Sequence, residues 1–458
     1  MIVPKLEKQL GIEVYATKSE SIGGVIRRSI ADFAVKEVLV DGSKASADSS
    51  VKQNVLGSSQ AKNRYLLCIL VKRNWDTISA VKAVADQLGI SMGRVQTAGL
   101  KDARAVTAQH ITIEDVSAEE TQRVHVKDIE VYPVGYVRNK LSSYYLLGNS
   151  FKITISSINH SKPTIKKRIA QTVEELKAIG GVPNFFGHQR FGTIRPITHL
   201  VGKAITKGDF RKALMLFLAK PSSNEHPASR QAREVLRNTK DFKQALQDFP
   251  RQLRFERLLL RSLVERPGDY VGAFRRLPIK LQELFPQAYQ SYLFNRFLSR
   301  RIEHGLPLDR AEVGDYVVNI ERSGLPMVTI NRVVTVENRA EINTAIQAGK
   351  MRLALPLVGF RQHSSLRLQE EIEKQILEEE GVRPKDFKID AIPDISLRGE
   401  LRTATTPLSE FSIEEIRDDS IDLSKQEARI SFTLYRSSYA TIILRELMKP
   451  HNLIKAGF

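Results

Sequence analysis

The sequence predicts an α/β protein in which a mixed sheet is covered by helices, and three observations carry that prediction. Strand-like apolar runs alternate with amphipathic segments through the first 180 residues. From about residue 205 the chain turns mainly helical. Near its end it returns to a strand followed by a helix, "ARISFTLYRSSYATIILRELMK". At 458 residues the chain exceeds one average core, which points to about two or three domains.

Residues 12–40 read as two short β segments, the second alternating around Phe33, Val35 and Val38-Leu39-Val40 after a turn at Gly23-Gly24. Residues 41–63, rich in Ser, Gly and Lys, read as a mobile loop. "RYLLCILVKRN" is a buried strand holding Cys68, the sole cysteine, so no internal disulfide forms and a core thiol is expected. "DTISAVKAVADQLGIS" is a helix with Asp76 as N-cap and Gly89 as its stop. Gly99-Leu100-Lys101-Asp102 reads as a turn, and "AVTAQHITI" as the strand leaving it.

Residues 129–155 hold two further strands, and 163–178 an amphipathic helix with Pro163 near its start and Gly180-Gly181 at its end. Residues 207–262 look mainly helical. The stretch 251–276 carries seven arginines, of which Arg254, Arg257 and Arg261 share one helical face. That face suits phosphates or a plain solvated surface equally. A helix follows over 287–301, strands over 310–335, and an acidic helix over 366–380 that Gly381 ends.

Charge bounds the function. Seventy Lys+Arg against 52 Asp+Glu leave +18, spread through the chain. An excess of that size favours a polyanionic partner, because each neutralised phosphate releases counterions. No apolar run approaches the roughly 20 residues of a membrane span, and "MIVPKLEKQLGIEVY" lacks a signal-peptide core. A cytoplasmic protein is expected. There is no Walker-type glycine loop and no dinucleotide fingerprint, and nine scattered histidines with one cysteine make no zinc cluster. No cofactor and no metal are expected.

A carboxylate, basic residues and aromatics remain. Asp102 stands between Lys101 and Arg104 at the mouth of a strand. It is either a solvated turn residue or a catalytic carboxylate kept ionised by cations. "VPNFFGHQRFG", residues 182–192, offers flat rings for a base, amides for its edge and an arginine for phosphate. A core phenylalanine pair is the alternative, weakened by Asn184, Gln189 and Arg190 lying so close.

Taken together these stretches resemble the TruD family of pseudouridine synthases in its archaeal form. The likeness runs in order through "GIEVYATKSESIGGVIRRSIADFAVKEVLV", "KRNWDTISAV", "AGLKDARAVTAQ", "LLGNSFKI", "VPNFFGHQRFG", "QAYQSYLFNRFLSRR" and "SSYATIILREL". It implies a pseudouridine synthase-type fold, a largely antiparallel mixed sheet with flanking helices, carrying an inserted α/β domain specific to the family. The catalytic domain is expected over residues 1–205 and 400–458, and the insertion over 206–399. A basic cleft for folded tRNA and a monomeric state are expected.

The resemblance also implies isomerisation of a uridine in RNA to pseudouridine, typically at position 13 of tRNA, with one essential aspartate and no cofactor. Some relatives modify other uridines in tRNA or small RNAs. The motif places the aspartate at Asp102 and its basic partner at Arg27. Phe186 matches the aromatic that stacks on the target base, and Asn184 the amide that holds the site's loop. Glu37 matches a site-lining position, with a strand-edge carboxylate as the plainer reading. Lys101 is expected to meet RNA phosphate or the site's edge, and His188 is given no catalytic role.

Two departures stand out. Ile30-Ala31 replaces the usual Pro-Glu, and "KLSSYYLLGN" replaces a basic-glycine run, which bears on the choice of RNA more than on the chemistry. A non-catalytic tRNA-binding chaperone is the competing reading from another class. An RNA N-glycosidase that releases the base is the competing enzyme.

Overall fold

In a computed structural model the described residues are 2–46 and 54–458, and they fold as two compact units. One comprises Thr17–Val182, Glu321–Leu325 and Thr406–Phe458. The other comprises Met1–Ala16, Pro183–Ile320 and Pro326–Thr405. The break expected at 205/206 thus falls at 182/183, and that expected at 399/400 falls at 405/406. The reason lies in packing. The helix Thr198–Thr206 lies so close to the helix Ile279–Glu303 that a Cβ on Gly202 would stand 2.0 Å from the Phe285 carbonyl oxygen. The loop expected over 41–63 lies partly, over 47–53, outside the described residues.

Along the chain the strands of three or more residues are β1 (Phe33–Leu39), β2 (Tyr65–Arg73), β3 (Val95–Thr97), β4 (Val106–Glu114), β5 (Ile129–Val137) and β6 (Leu146–Ile158). They continue as β7 (Tyr316–Ile320), β8 (Pro326–Val333), β9 (Met351–Leu357), β10 (Glu400–Thr403), β11 (Ser409–Asp418) and β12 (Gln426–Tyr435). Residues 12–29 form no strand, only an isolated bridge from Val25 to Ser156, so one of the two β segments expected over 12–40 is absent. The Gly23-Gly24 pair turns the chain there, with both residues at positive φ.

The first unit is built on an eight-stranded sheet in the order β11-β12-β6-β1-β4-β2-β5, with β3 paired to β4. Among the described residues only the β1–β4 pairing of this sheet is parallel, Val35 facing Thr107; its other strand pairs are antiparallel. β2 is buried along almost its whole length, as a run apolar on both faces requires. Leu66, Cys68 and Leu70 pack under the helix Thr77–Leu88, while Leu67 joins Leu39 and Ala98 on the opposite face. The Cys68 thiol is fully buried, and burial pushes it well above the ordinary thiol range. Asp76 caps its helix as expected, accepting from Ser79 N at 2.9 Å, and Gly89 closes it at φ +66°. The helix Lys162–Ala178 begins with Pro163 in its first turn.

The second unit joins helices to an antiparallel sheet in the order β10-β9-β7-β8. Its helices Phe210–Ala219, Pro227–Thr239, Phe242–Asp248 and Arg254–Glu265 enclose a core with Phe210, Phe249, Phe274 and Phe285. The helix expected over 287–301 starts eight residues earlier, at Ile279, and holds Pro286 inside it. Arg257 is spent on structure. Its Nη1 donates to the Leu246 and Phe249 carbonyls, each at 2.7 Å, whereas Arg254 and Arg261 are exposed.

Candidate active site

The turn before β4 carries Asp102, and three side chains pin that turn from beneath. Thr77 Oγ1, at the start of its helix, accepts from Lys101 N at 2.9 Å. Gln109 Nε2, pointing back from β4, donates to the Gly99 carbonyl at 3.1 Å. Lys72 Nζ, from β2, donates to the Asp102 carbonyl at 2.9 Å. The Asp102 side chain stands out from this base with 44% of its surface exposed. Buried polar side chains from β2, β4 and the helix between them thus fix the backbone while the carboxylate faces solvent, the arrangement that precise positioning of a reactive group needs.

Arg27 meets it. Nη2 lies 3.2 Å from Asp102 Oδ2 and donates to it. The guanidinium also lies over the Phe33 ring, 4.1 Å from its centroid, a placement that suits a weakly hydrated planar cation. Arg27 has φ +56°, a conformation that costs energy in a residue bearing a long side chain. The chain end helps hold it: Nη1 donates to the Gly457 carbonyl at 3.4 Å. Gly457 itself, at φ +89°, leaves no room for a Cβ, which would stand 2.0 Å from the Ile26 oxygen. Next door, Arg28 Nη1 bonds both oxygens of the buried Asp419, at 2.8 and 2.9 Å. Burial pulls the Arg27 guanidinium below its ordinary range, with Asp102 opposing that shift.

Glu37 is no strand-edge residue. β1 is interior to the sheet, and Phe33, Val35, Glu37 and Leu39 alternate onto its buried positions. The Glu37 carboxylate accepts from His110 N at 2.9 Å, faces His110 Nδ1 at 3.2 Å and pairs with Lys101 Nζ at 2.7 Å. Burial alone would push this carboxyl up. The His110 and Lys101 contacts outweigh it and leave the group below the ordinary carboxylate range. Lys101 therefore does not take the place expected of it at RNA phosphate or the site's edge. It is turned inward and only 8% exposed, while its neighbour Leu100 is turned outward. A buried carboxylate on β1 draws the ammonium in, because an ionised Glu37 without a partner would be costly.

Asn184 and Phe186 lie in the second unit, where each is tied to named partners. Asn184 Nδ2 donates to the Thr403 carbonyl and Oγ1, both at 3.1 Å, which fastens residues 183–186 to the end of β10. Phe186 N donates to Asn295 Oδ1 at 2.8 Å, and Asn295 Nδ2 donates to the Phe186 carbonyl at 3.1 Å. Phe294 meets the Phe186 ring edge-on at 5.6 Å. Sequence reasoning missed Arg402. Its guanidinium lies 4.0 Å from the Phe186 centroid, while Nε and Nη2 donate to the Asn184 carbonyl and Oδ1 at 2.9 and 2.6 Å. The only signal was an arginine inside the short apolar-polar run "ELRTATT". His188, given no catalytic role, is buried with Nε2 3.3 Å from the buried Glu7.

This architecture is one that known proteins share. A family model described as tRNA pseudouridine synthase D (TruD) matches residues 9–447. A Methanosarcina mazei protein named "Probable tRNA pseudouridine synthase D" is 38% identical over 453 residues, spanning 99% of either chain. A Pyrococcus furiosus protein of the same name is 35% identical over 437 residues, 95% of this chain and 98% of that one. The crystal structure of a TruD protein from Methanosarcina mazei superposes with a TM-score of 0.84 at 38% identity, covering 98% of this chain and 99% of that one. By sequence and by fold alike, this chain belongs to the tRNA pseudouridine synthase D family.

Proposed function

We propose that this protein isomerises a uridine of tRNA to pseudouridine, at position 13, with Asp102 as the essential carboxylate. The observation that carries the reading is the exposed Asp102 side chain on a pinned turn with Arg27 3.2 Å away. The reaction breaks the bond from C1′ to N1, turns the base and joins C1′ to C5. The proton on C5 leaves and N1 gains one, so atoms and electrons balance without any oxidant or cofactor. An ionised carboxylate can begin this either by adding to C1′ or by removing the C2′ proton. Both routes need a charged carboxylate held in place, and Arg27 Nη2, donating to Asp102 Oδ2 at 3.2 Å, is positioned to orient it.

The target base must leave its stack, at a cost of a few kcal/mol. In this reading Phe186 provides the aromatic surface for the base, and Arg402 and Asn184 hold Phe186 in place. Glu37 and Lys101 act beneath the site, supporting the turn from the sheet. The net charge of +18 supplies the attraction for phosphates.

A tRNA labelled with tritium at uridine C5 tests the reaction class. Release of tritium to water with the uracil still attached to the RNA is the expected result. Free labelled uracil would mark an N-glycosidase. Tight binding with neither product would leave a binding protein, and the proposed chemistry would fall.

A further inference from the structure

Lys72 is fully buried at the end of β2, paired across the sheet with Thr107, where the Asp102 turn enters β4. Its Nζ donates to the Trp75 carbonyl at 2.6 Å, to the Asp102 carbonyl at 2.9 Å and to the Lys101 carbonyl at 3.5 Å. An ammonium has three N–H groups, and three main-chain carbonyls take them. Among the described residues no carboxylate forms an ion pair with it. Burying a cation that way is expensive, and a methionine of similar length would fill the space without the penalty. The charge is therefore a feature to be explained.

We infer that Lys72, as an ammonium, is a positioning residue for the reaction: it fixes the main chain of Asp102 and so the place from which the carboxylate acts. The inference rests on Asp102 being the essential carboxylate. Thr77 and Gln109 hold Lys101 and Gly99, whereas Lys72 grips Asp102 itself. A neutral amine has one N–H fewer, so deprotonation leaves one of the three carbonyls without its donor and loosens the turn. The charged groups facing Lys72 are Asp102 and Lys101 on the turn, Asp76 at the helix cap, and Glu37 behind Lys101. Burial pulls the Lys72 ammonium down to about 8, Asp102 and Asp76 oppose this, and Lys101 adds to it. The switch between the two forms then falls within the range where the enzyme can be assayed.

The test is the single-turnover rate on bound tRNA from about pH 7 to about pH 9, with the tRNA KM measured alongside. Wild-type protein is expected to slow as pH rises through about 8. Lys72→Met is expected to be about 10- to 100-fold slower at neutral pH with KM unchanged, and to lack that alkaline fall. Lys72→Arg, permanently charged, is expected to move the fall to higher pH. A flat wild-type profile would overturn the proposal, and that result needs no variant to fold. So would a Lys72→Met protein with wild-type rate, with a loss in KM alone, or with the alkaline fall intact. Asp102→Asn is run in the same series. Activity there would sink the Asp102 assignment itself, whatever Lys72 shows.

Discussion

Arg27 and Asp102, 75 residues apart in the sequence, approach to 3.2 Å within the first unit. Arg27 sits on a strained left-handed residue above Phe33, and Asp102 on a turn held by three buried side chains. Each is placed by its own surroundings, so the pair does not depend on mutual attraction for its geometry. Replacing Arg27 by Met should therefore leave the fold intact and lower the rate on bound tRNA on the order of 100-fold, as loss of a preorganised charge does. Single-turnover kinetics and a binding titration separate the two effects. Wild-type chemistry with weakened tRNA binding would make Arg27 an RNA contact only.

The Glu37–Lys101 pair should act through stability. Glu37→Gln leaves a buried ammonium beside a neutral amide, and the expected loss is about 3–5 kcal/mol. Adding Lys101→Met should restore much of it, which a double-mutant cycle in urea would register as a strong coupling. Additive effects would mean that the 2.7 Å contact contributes little.

Arg402→Met removes the donors to both Asn184 oxygens and the cation over Phe186. Losing these two buried hydrogen bonds donated by a charged group should destabilise by about 1–3 kcal/mol. The rate on bound tRNA should fall with it, even at temperatures where the variant is fully folded. Phe186→Ala should give the same kinetic phenotype, with a loss of about 1–3 kcal/mol in base stacking. A slow Arg402 variant combined with an unaffected Phe186 variant would break the link drawn between them.

His199 gives a pH signature to the second unit. It stacks on Tyr292 with ring centroids 5.1 Å apart, and burial, aided by Lys220, pulls it down to about 4. The unfolded chain therefore binds a proton here, between the ordinary imidazole value near 6.5 and about 4, that the folded chain does not. Stability should decline as pH falls through that window, by up to about 3 kcal/mol from this group. His199→Phe should flatten the decline in acid melting curves. An unchanged slope would place the acid sensitivity elsewhere.

What was legible in the sequence follows from which interactions are local. The helix Thr77–Leu88 was legible to its caps, because Asp76 and Gly89 act within one turn of it. The turn before β4 was legible for the same reason. That Arg27 meets Asp102 came only through resemblance, since nothing local in "GGVIRRSI" announces a partner 75 residues away. Lys101 was misplaced because a lysine beside a glycine turn reads as exposed, and only the pairing of β1 with β4 puts Glu37 within its reach. β9, β10 and β11 were not foreseen at all. β11 alternates polar and apolar residues over "EFSIE" and then breaks the alternation at Glu414-Glu415, a pattern open to more than one reading until β12 pairs with it. Arg402 was invisible because its function lies in reaching residues 184 and 186, which the sequence keeps more than two hundred positions distant.

The most direct test of the central claim incubates unmodified tRNA transcripts with wild-type protein and with Asp102→Asn, then maps pseudouridine by carbodiimide-blocked primer extension. The predicted result is a stop at one uridine, position 13, with wild-type protein, and none with Asp102→Asn although that variant still binds the tRNA. The same stop with Asp102→Asn would contradict the account, because a reaction that survives loss of the carboxylate does not run through it.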